Sequence, residues 1–391
     1  MNADEPKYKI VYCTPALYMA GGVERVLTLK ANHFAEHYGH DITIIITEGR
    51  DKPLFYPLSP KVNVINLDIN FEELWGQPFA RKVLLYLKKQ REFRRKLREQ
   101  LMHIRPDITI SLLRREINFI TSIPDGSRKV GELHVNRANY RNFEANDTNI
   151  LKRLFSHLWM GSLVRKLRRL DRFVVLTEED FRSWGELRNV TVIPDPMSFR
   201  PTRISRQEHK RVIAVGRYAY QKGFDLLLEA WSRIEKQVPD WQLAIYGMGD
   251  RAPYEQQAAR LRLDMTRCHI NGSTTDIEKE YSESSLFVLS SRFEGFGMVL
   301  VEAMSCALPV VSFACPCGPR DIVSNGRNGL LVENGNVEQL AKAMLSLISD
   351  DDMRRRMGQS AKDDARRFDM DVIAGKWQEL FKTTMNSKQS H

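Results

Sequence analysis

The stretch that most constrains this chain is Ser290–Phe313, SSRFEGFGMVLVEAMSCALPVVSF. The apolar run Leu286–Leu289 before it has strand character. A polar, glycine-bearing turn follows at 290–297, then a helix-compatible segment at 298–306, Pro309, and a second strand-like run, Val310–Phe313. Strand, loop, helix and strand within about 30 residues make a βαβ unit, the building block of a parallel sheet.

The loop and the helix carry the chemistry. Gly295 and Gly297 let the backbone approach a ligand and take positive φ. Free amides at the helix start, around Gly297, Met298 and Val299, form an anion site reinforced by the helix dipole. Glu294 lies before that site and Glu302 within the helix. At ~1.5 Å of rise per helical residue, the two carboxylates can stand roughly 10 Å apart. Acids beside an anion hole would repel a phosphate if they pointed at it. They suit a ligand that also carries hydroxyls, as sugars do.

The same alternation continues along the chain. Lys9–Tyr12, Asp41–Thr47, Val62–Leu67, Asp107–Leu113, Lys129–His134 and Arg172–Thr177 read as strands separated by helical stretches, with Arg172–Thr177 the last of the first half. Val190–Pro196 and Pro201 read as a rigid, extended connector. The pattern restarts at Arg211–Val215. The expectation is an α/β chain with two doubly wound domains, divided as 1–200 and 201–370, and a last helical segment at 371–391. A length of 391 residues suits two domains.

Composition excludes several classes. No apolar stretch is long enough to span a bilayer, and Met1–Lys9 lacks the apolar core of a secretory signal. Five cysteines without paired spacing predict a reduced, cytoplasmic protein. The net charge of +10 sits mostly in the first half, where residues 1–198 hold 32 Lys+Arg against 24 Asp+Glu. An anionic partner is implied, and no zinc-finger or RNA-binding signature supports nucleic acid. The excess gathers in Arg81–Arg98, with nine basic residues, and in Leu151–Arg172, both interleaved with apolar residues. Each reads equally as an amphipathic helix on an anionic membrane surface or as a packed helix with a solvated charged face.

Further candidates lie at strand ends. Gly21-Gly22 opens a helix over Val23–Tyr38, on which Val23, Val26, Leu27, Lys30, Ala31 and Phe34 fall at helical spacing. His134 ends a strand, where parallel sheets bind ligands. Past Val215, Arg217 and Lys222 can hold a diphosphate from two sides, one as a planar fork and one as a point charge.

Glu294-Gly-Phe296-Gly with Glu302, seven residues between the acids, together with Gly216-Arg217…Lys222-Gly223, resembles retaining glycosyltransferases of family 4, of the bacterial polysaccharide and lipid-linked oligosaccharide type. The resemblance runs from about residue 9 to 380 and implies the GT-B fold, two Rossmann-like domains facing across a cleft, with the final helix returning to the first. It implies a metal-independent transfer of a hexose or N-acetylhexosamine from a nucleotide-sugar, most commonly a UDP-sugar, with neither cofactor nor metal ion. Glu302 would read the ribose, Arg217 and Lys222 the diphosphate, and Glu294 the sugar hydroxyls. Phe296, Gly297, Met298 and Val299 would line the phosphate, Gly272 and Ser273 the base, and His134 the transferred sugar. Gly22 and the basic segments would serve a glycan or lipid-diphosphate acceptor at the inner face of the cytoplasmic membrane. The family more usually has Glu and His adjacent where this chain has Glu132-Leu133-His134, and Asn where it has Asp195. No Asp-x-Asp suits a divalent ion. Two other readings remain: a nucleotide-sugar epimerase of the same fold, and a non-catalytic nucleotide-sugar-binding subunit.

Overall fold

A computed structural model describes residues 6–142 and 150–387, apart from the side chains at 139, 141, 142 and 150–157. The first seven side chains of the basic segment 151–172 and the tail beyond Ser387 therefore lie outside the described residues. The chain divides into two compact units. One comprises residues up to Leu176, Asp180–Pro194 and Met370 onward, and the other Thr177–Glu179 with Asp195–Asp369.

The first unit is built on β1 (Lys9–Cys13), β2 (Asp41–Ile46), β3 (Val62–Asn66), β4 (Ile108–Ser111), β5 (Arg128–Glu132), β6 (Arg172–Val175) and β7 (Val190–Val192), all parallel, in the order β3-β2-β1-β4-β5-β6-β7. The second has β8 (Arg211–Val215), β9 (Gln242–Tyr246), β10 (Cys268–Asn271), β11 (Leu286–Leu289), β12 (Val310–Phe313) and β13 (Gly329–Val332), in the order β10-β9-β8-β11-β12-β13. Central strands are mostly apolar and buried on both faces, as Ile42, Ile44 and Ile45 of β2 show, because helices cover both faces of a parallel sheet. Each order reverses once, between β1 and β4 and between β8 and β11. At such a switch point the flanking loops part and leave room for a ligand beyond the strand ends.

One strand departs from the sequence reading. Val190–Val192, taken as connector, pairs in parallel with β6 and makes Arg172–Val175 the penultimate strand of the first sheet. It is a three-residue edge strand, half-buried at every position, so it lacks the apolar run by which the others are recognised. The helix expected to reach Tyr38 runs from Gly22 to His33 and loosens into a wider turn over Phe34–Tyr38.

The final helix, Met370–Asn386, packs within the first unit. Ile373, Ala374, Trp377, Leu380 and Phe381 join Ile10, Tyr12, Leu27 and Phe34 in one core cluster on the first sheet. Phe381 has Phe34, His40 and Tyr8 within 6.3 Å, and His40 Nε2 is 2.9 Å from Gln378 Oε1.

The two basic segments are helical. In Phe79–Ile104 the C-terminal half buries Phe93, Leu97 and Leu101, whereas Phe79, Val83, Leu84 and Leu87 in the N-terminal half are exposed, with Trp75 just before them. In Ile150–Leu167, Leu163 and Leu167 are buried. Among the described residues no helix is long and apolar enough to cross a membrane.

Trp377 is 1% exposed at the centre of the final helix's contact. Trp377→Ala should lower the stability of the first unit by about 3–5 kcal/mol, the usual cost of emptying a large aromatic site, read as a fall in the urea midpoint.

Candidate functional site

In the second unit the loops after β8 and β11 flank the switch point, and they are fastened to each other by hydrogen bonds onto main-chain carbonyls. Arg292 N–H donates to Gln221 O (2.8 Å), Ser290 Oγ to Lys222 O (2.9 Å), and Gln221 Nε2 to Phe293 O (3.1 Å). Gly223 makes this approach possible. Its φ is +60°, and a Cβ there would stand 2.1 Å from Ser290 O, so only glycine fits. Arg292 adds a second fastening, with Nη1 and Nη2 on the two Asp225 oxygens at 2.8 and 2.5 Å and Nη1 also on Tyr220 O at 2.8 Å. Burial pushes the Asp225 carboxyl up, but the Arg292 fork outweighs it and leaves the carboxyl below its ordinary value.

This fastening brings two expected residues together. Lys222 Nζ donates to Glu294 Oε1 at 2.7 Å, with both side chains largely buried. Ser291 Oγ donates to the same oxygen at 2.6 Å. Arg217, in the same loop as Lys222, is exposed, and no described residue bonds its side chain. The pair of cations is thus unequal: Lys222 is held on an acid, whereas Arg217 projects into solvent.

Gly297 caps the helix Met298–Ser305 in the left-handed region, at φ +95°. The helix therefore starts abruptly and its first amides face the loop. Phe296 is buried edge-on against Phe368 (5.5 Å between centroids), so its ring is core and only its backbone is left to meet a ligand. Glu302, 4% exposed, accepts from Ser198 Oγ and, at 3.1 Å, from Tyr281 OH. Both acids of the signature thus accept from hydroxyls of the protein itself. Gly272 and Ser273 are exposed past the edge strand β10, two strands from the switch point, where Tyr218 OH supports the turn by donating to Asn271 O at 2.7 Å.

Gly22 and His134 belong to the first unit. Gly22 begins its helix after an extended Gly21. His134 lies just beyond β5, and its Nε2 is 3.2 Å from Glu132 Oε1. That same oxygen is bonded by Lys30 Nζ. Burial raises the Glu132 carboxyl, and Lys30 followed by His134 outweighs it, holding the carboxyl down at about 2. In the sequence Lys30 falls among the core-spaced residues of its helix, and Arg292, Asp225 and Ser291 carry no local mark of a functional role. A lysine at an apolar helical position was the signal for the first. The others form a single fastening that only folding assembles.

The two Asp-x-Asp spacings near the C-terminus have structural partners. Asp350 caps a helix by accepting from Met353 N–H at 2.8 Å, and Asp371 stands 3.6 Å from His33. All five cysteines are buried free thiols.

Residues 199–364 match the family model described as glycosyl transferases group 1. An uncharacterized glycosyltransferase of Haemophilus influenzae is 27% identical over 366 residues, covering 92% of this chain and 95% of the relative. The amylovoran biosynthesis glycosyltransferase AmsD of Erwinia amylovora is 30% identical over 236 residues, covering 56% of this chain and 66% of its own. Among solved structures, a mutant of TarM from S. aureus, crystallised with fondaparinux, alpha-GlcNAc-glycerol and UDP, superposes with a TM-score of 0.75 at 15% identity, over 97% of this chain and 100% of that one. Identity so low carries the fold alone, and the fold is GT-B.

Two outcomes follow from this geometry. Gly223→Ala should unfasten the two loops, seen as a lowered melting point of the second unit. Glu132 is depressed from its ordinary 4.5, so its contribution to stability is complete above pH 4.5 and lost as pH falls through about 2. Glu132→Gln should flatten that acid limb when urea midpoints are plotted against pH.

Proposed function

We propose, from the premise that residues 199–364 match the glycosyl transferases group 1 family within a GT-B chain, that this protein is a retaining, metal-independent glycosyltransferase. It moves a hexose or N-acetylhexosamine from a nucleotide-sugar to a glycan or lipid-linked acceptor in polysaccharide or glycolipid assembly. The observation that carries the reading is the fastened pair of loops at the second switch point, with Lys222 on Glu294 and Arg217 unengaged beside them. Relatives such as AmsD, named for amylovoran biosynthesis, and a poly(ribitol-phosphate) α-N-acetylglucosaminyltransferase of Staphylococcus aureus support the acceptor class. The UDP bound by the TarM mutant supports a uridine nucleotide.

In this reading Arg217 and Lys222 grip the diphosphate, with the amides of Gly297, Met298 and Val299 behind it. The ribose hydroxyls take over the role that Ser198 Oγ has on Glu302, exchanging one hydroxyl donor for another. Glu294 holds the sugar hydroxyls, Gly272 and Ser273 border the base, and Gly22 and His134 serve the transferred sugar and acceptor from the first unit. The bond from the anomeric carbon to the phosphate oxygen breaks as the acceptor oxygen bonds to that carbon on the same face. The acceptor's proton passes to the departing phosphate. Charge grows on the leaving diphosphate, where fixed cations and amides lower the barrier because they need no reorganisation.

The reading includes a cytoplasmic location at the inner face of the membrane. Its support is the exposed apolar row Trp75, Phe79, Leu84 and Leu87 among Arg81, Lys82, Lys88 and Arg91. On this reading the contact would be made by the start of one helix.

Lys222→Ala should lower turnover by ~10²-fold or more, the scale of losing one oxyanion donor; near-normal turnover would remove Lys222 from the site. A panel of UDP- and GDP-sugars in a thermal-shift assay identifies the donor, since a ligand of the native state raises its melting point. Analysing product with and without acceptor separates transfer from epimerisation, and chelator-insensitive turnover is expected. Leu84→Ser/Leu87→Ser should weaken sedimentation with anionic liposomes; unchanged binding would count against the membrane contact.

A further inference from the structure

Lys30 occupies an apolar position of the helix Gly22–His33, flanked by Val26, Leu27 and Ala31, and is 1% exposed. An ammonium so buried is costly unless it is paired. Its Nζ bonds Glu132 Oε1, also 1% exposed, and lies 4.2 Å from the centre of the Trp377 ring. His134 Nε2 stands 3.2 Å from that same carboxylate oxygen. One oxygen therefore joins a cation on a helix to an imidazole at a strand end. The residue between them explains the arrangement. Side chains alternate along an extended strand, so Leu133 turns into the core at 3% exposure while Glu132 and His134 share a face.

A buried ion pair is a weak source of stability, because apolar residues of similar volume fill the same space as well or better. The pair is better accounted for by what it does to the third member. We propose that Lys30 is a positioning residue for His134, acting through Glu132. The inference rests on the reading of His134 as a residue that faces the transferred sugar. Lys30 keeps the Glu132 carboxylate ionised and in place. That carboxylate stands 3.2 Å from His134 Nε2 and holds the imidazole in one orientation through its charge. Burial alone drives the Glu132 carboxyl toward its neutral form, and the charge of Lys30 is the largest single effect opposing that. Without the ammonium the buried carboxylate loses its ion-pair partner, and the ring loses a fixed anchor.

The test measures steady-state transfer and melting point for Lys30→Met/Glu132→Leu, Glu132→Gln and His134→Ala, with the nucleotide-sugar that gives the largest thermal shift as donor. In the double variant two apolar side chains replace the ion pair. A purely structural pair predicts wild-type stability together with wild-type turnover. The positioning role predicts a melting point near wild type, kcat lower by about tenfold or more, the usual scale for a lost orienting partner, and an unchanged donor KM. Wild-type kcat in the double variant overturns the proposal. If that variant fails to fold, Glu132→Gln decides, since it keeps the shape and Lys30: a reduced kcat at unchanged KM supports the role, and wild-type kcat refutes it. Full transfer by His134→Ala would instead defeat the reading of His134 on which the proposal stands.

Discussion

The second unit depends on two loops being made into one surface. Each leaves its sheet at a neighbouring strand, β8 or β11, and the reversal of strand order there would by itself let them spread. Bonds from the Arg292 N–H and the Ser290 hydroxyl to the carbonyls of Gln221 and Lys222 prevent this, and glycine at 223 permits the close approach they need. The fastening is made by Ser290, Gln221 and Arg292, and Arg217 takes no part in it.

The buried acids of the two units are stabilised differently, and the difference bears on their use. Glu302 accepts from two hydroxyls, while Glu294 shares one oxygen between a hydroxyl and an ammonium. Hydroxyl partners are exchangeable for those of a sugar at little net cost, since a hydrogen bond lost is a like one gained. Glu132 has an ammonium and an imidazole, which no neutral ligand replaces. Its surroundings suit a fixed charge that orients a neighbour.

Much of the fold was legible because parallel strands buried on both faces are apolar at nearly every position. Asp41–Ile46 and Val310–Phe313 show this, and the loop between β11 and β12 was marked by its glycines. What escaped notice escaped for physical reasons. Val190–Val192 is a short, half-buried edge strand whose sequence does not differ from an extended connector. The basic helix Phe79–Ile104 has apolar residues along its whole length, and periodicity does not tell which turns meet the core: Phe93, Leu97 and Leu101 do, Phe79 and Leu84 do not. Phe296 sits inside the signature yet spends its ring on packing against Phe368.

The sequence by itself determined the doubly wound class of both units, the position of the glycine loops, and the acids and cations standing at strand ends. These are local properties, written in the spacing of apolar residues and in the few residue types a tight turn accepts. Only the tertiary structure decided which of those groups meet. It set Lys222 rather than Arg217 on Glu294, joined Arg292 to Asp225 from 67 residues away, and brought Lys30 to Glu132 across 102. Charges paired over such distances in the chain have no sequence period, because the partner is selected by where two surfaces close and not by what lies beside it.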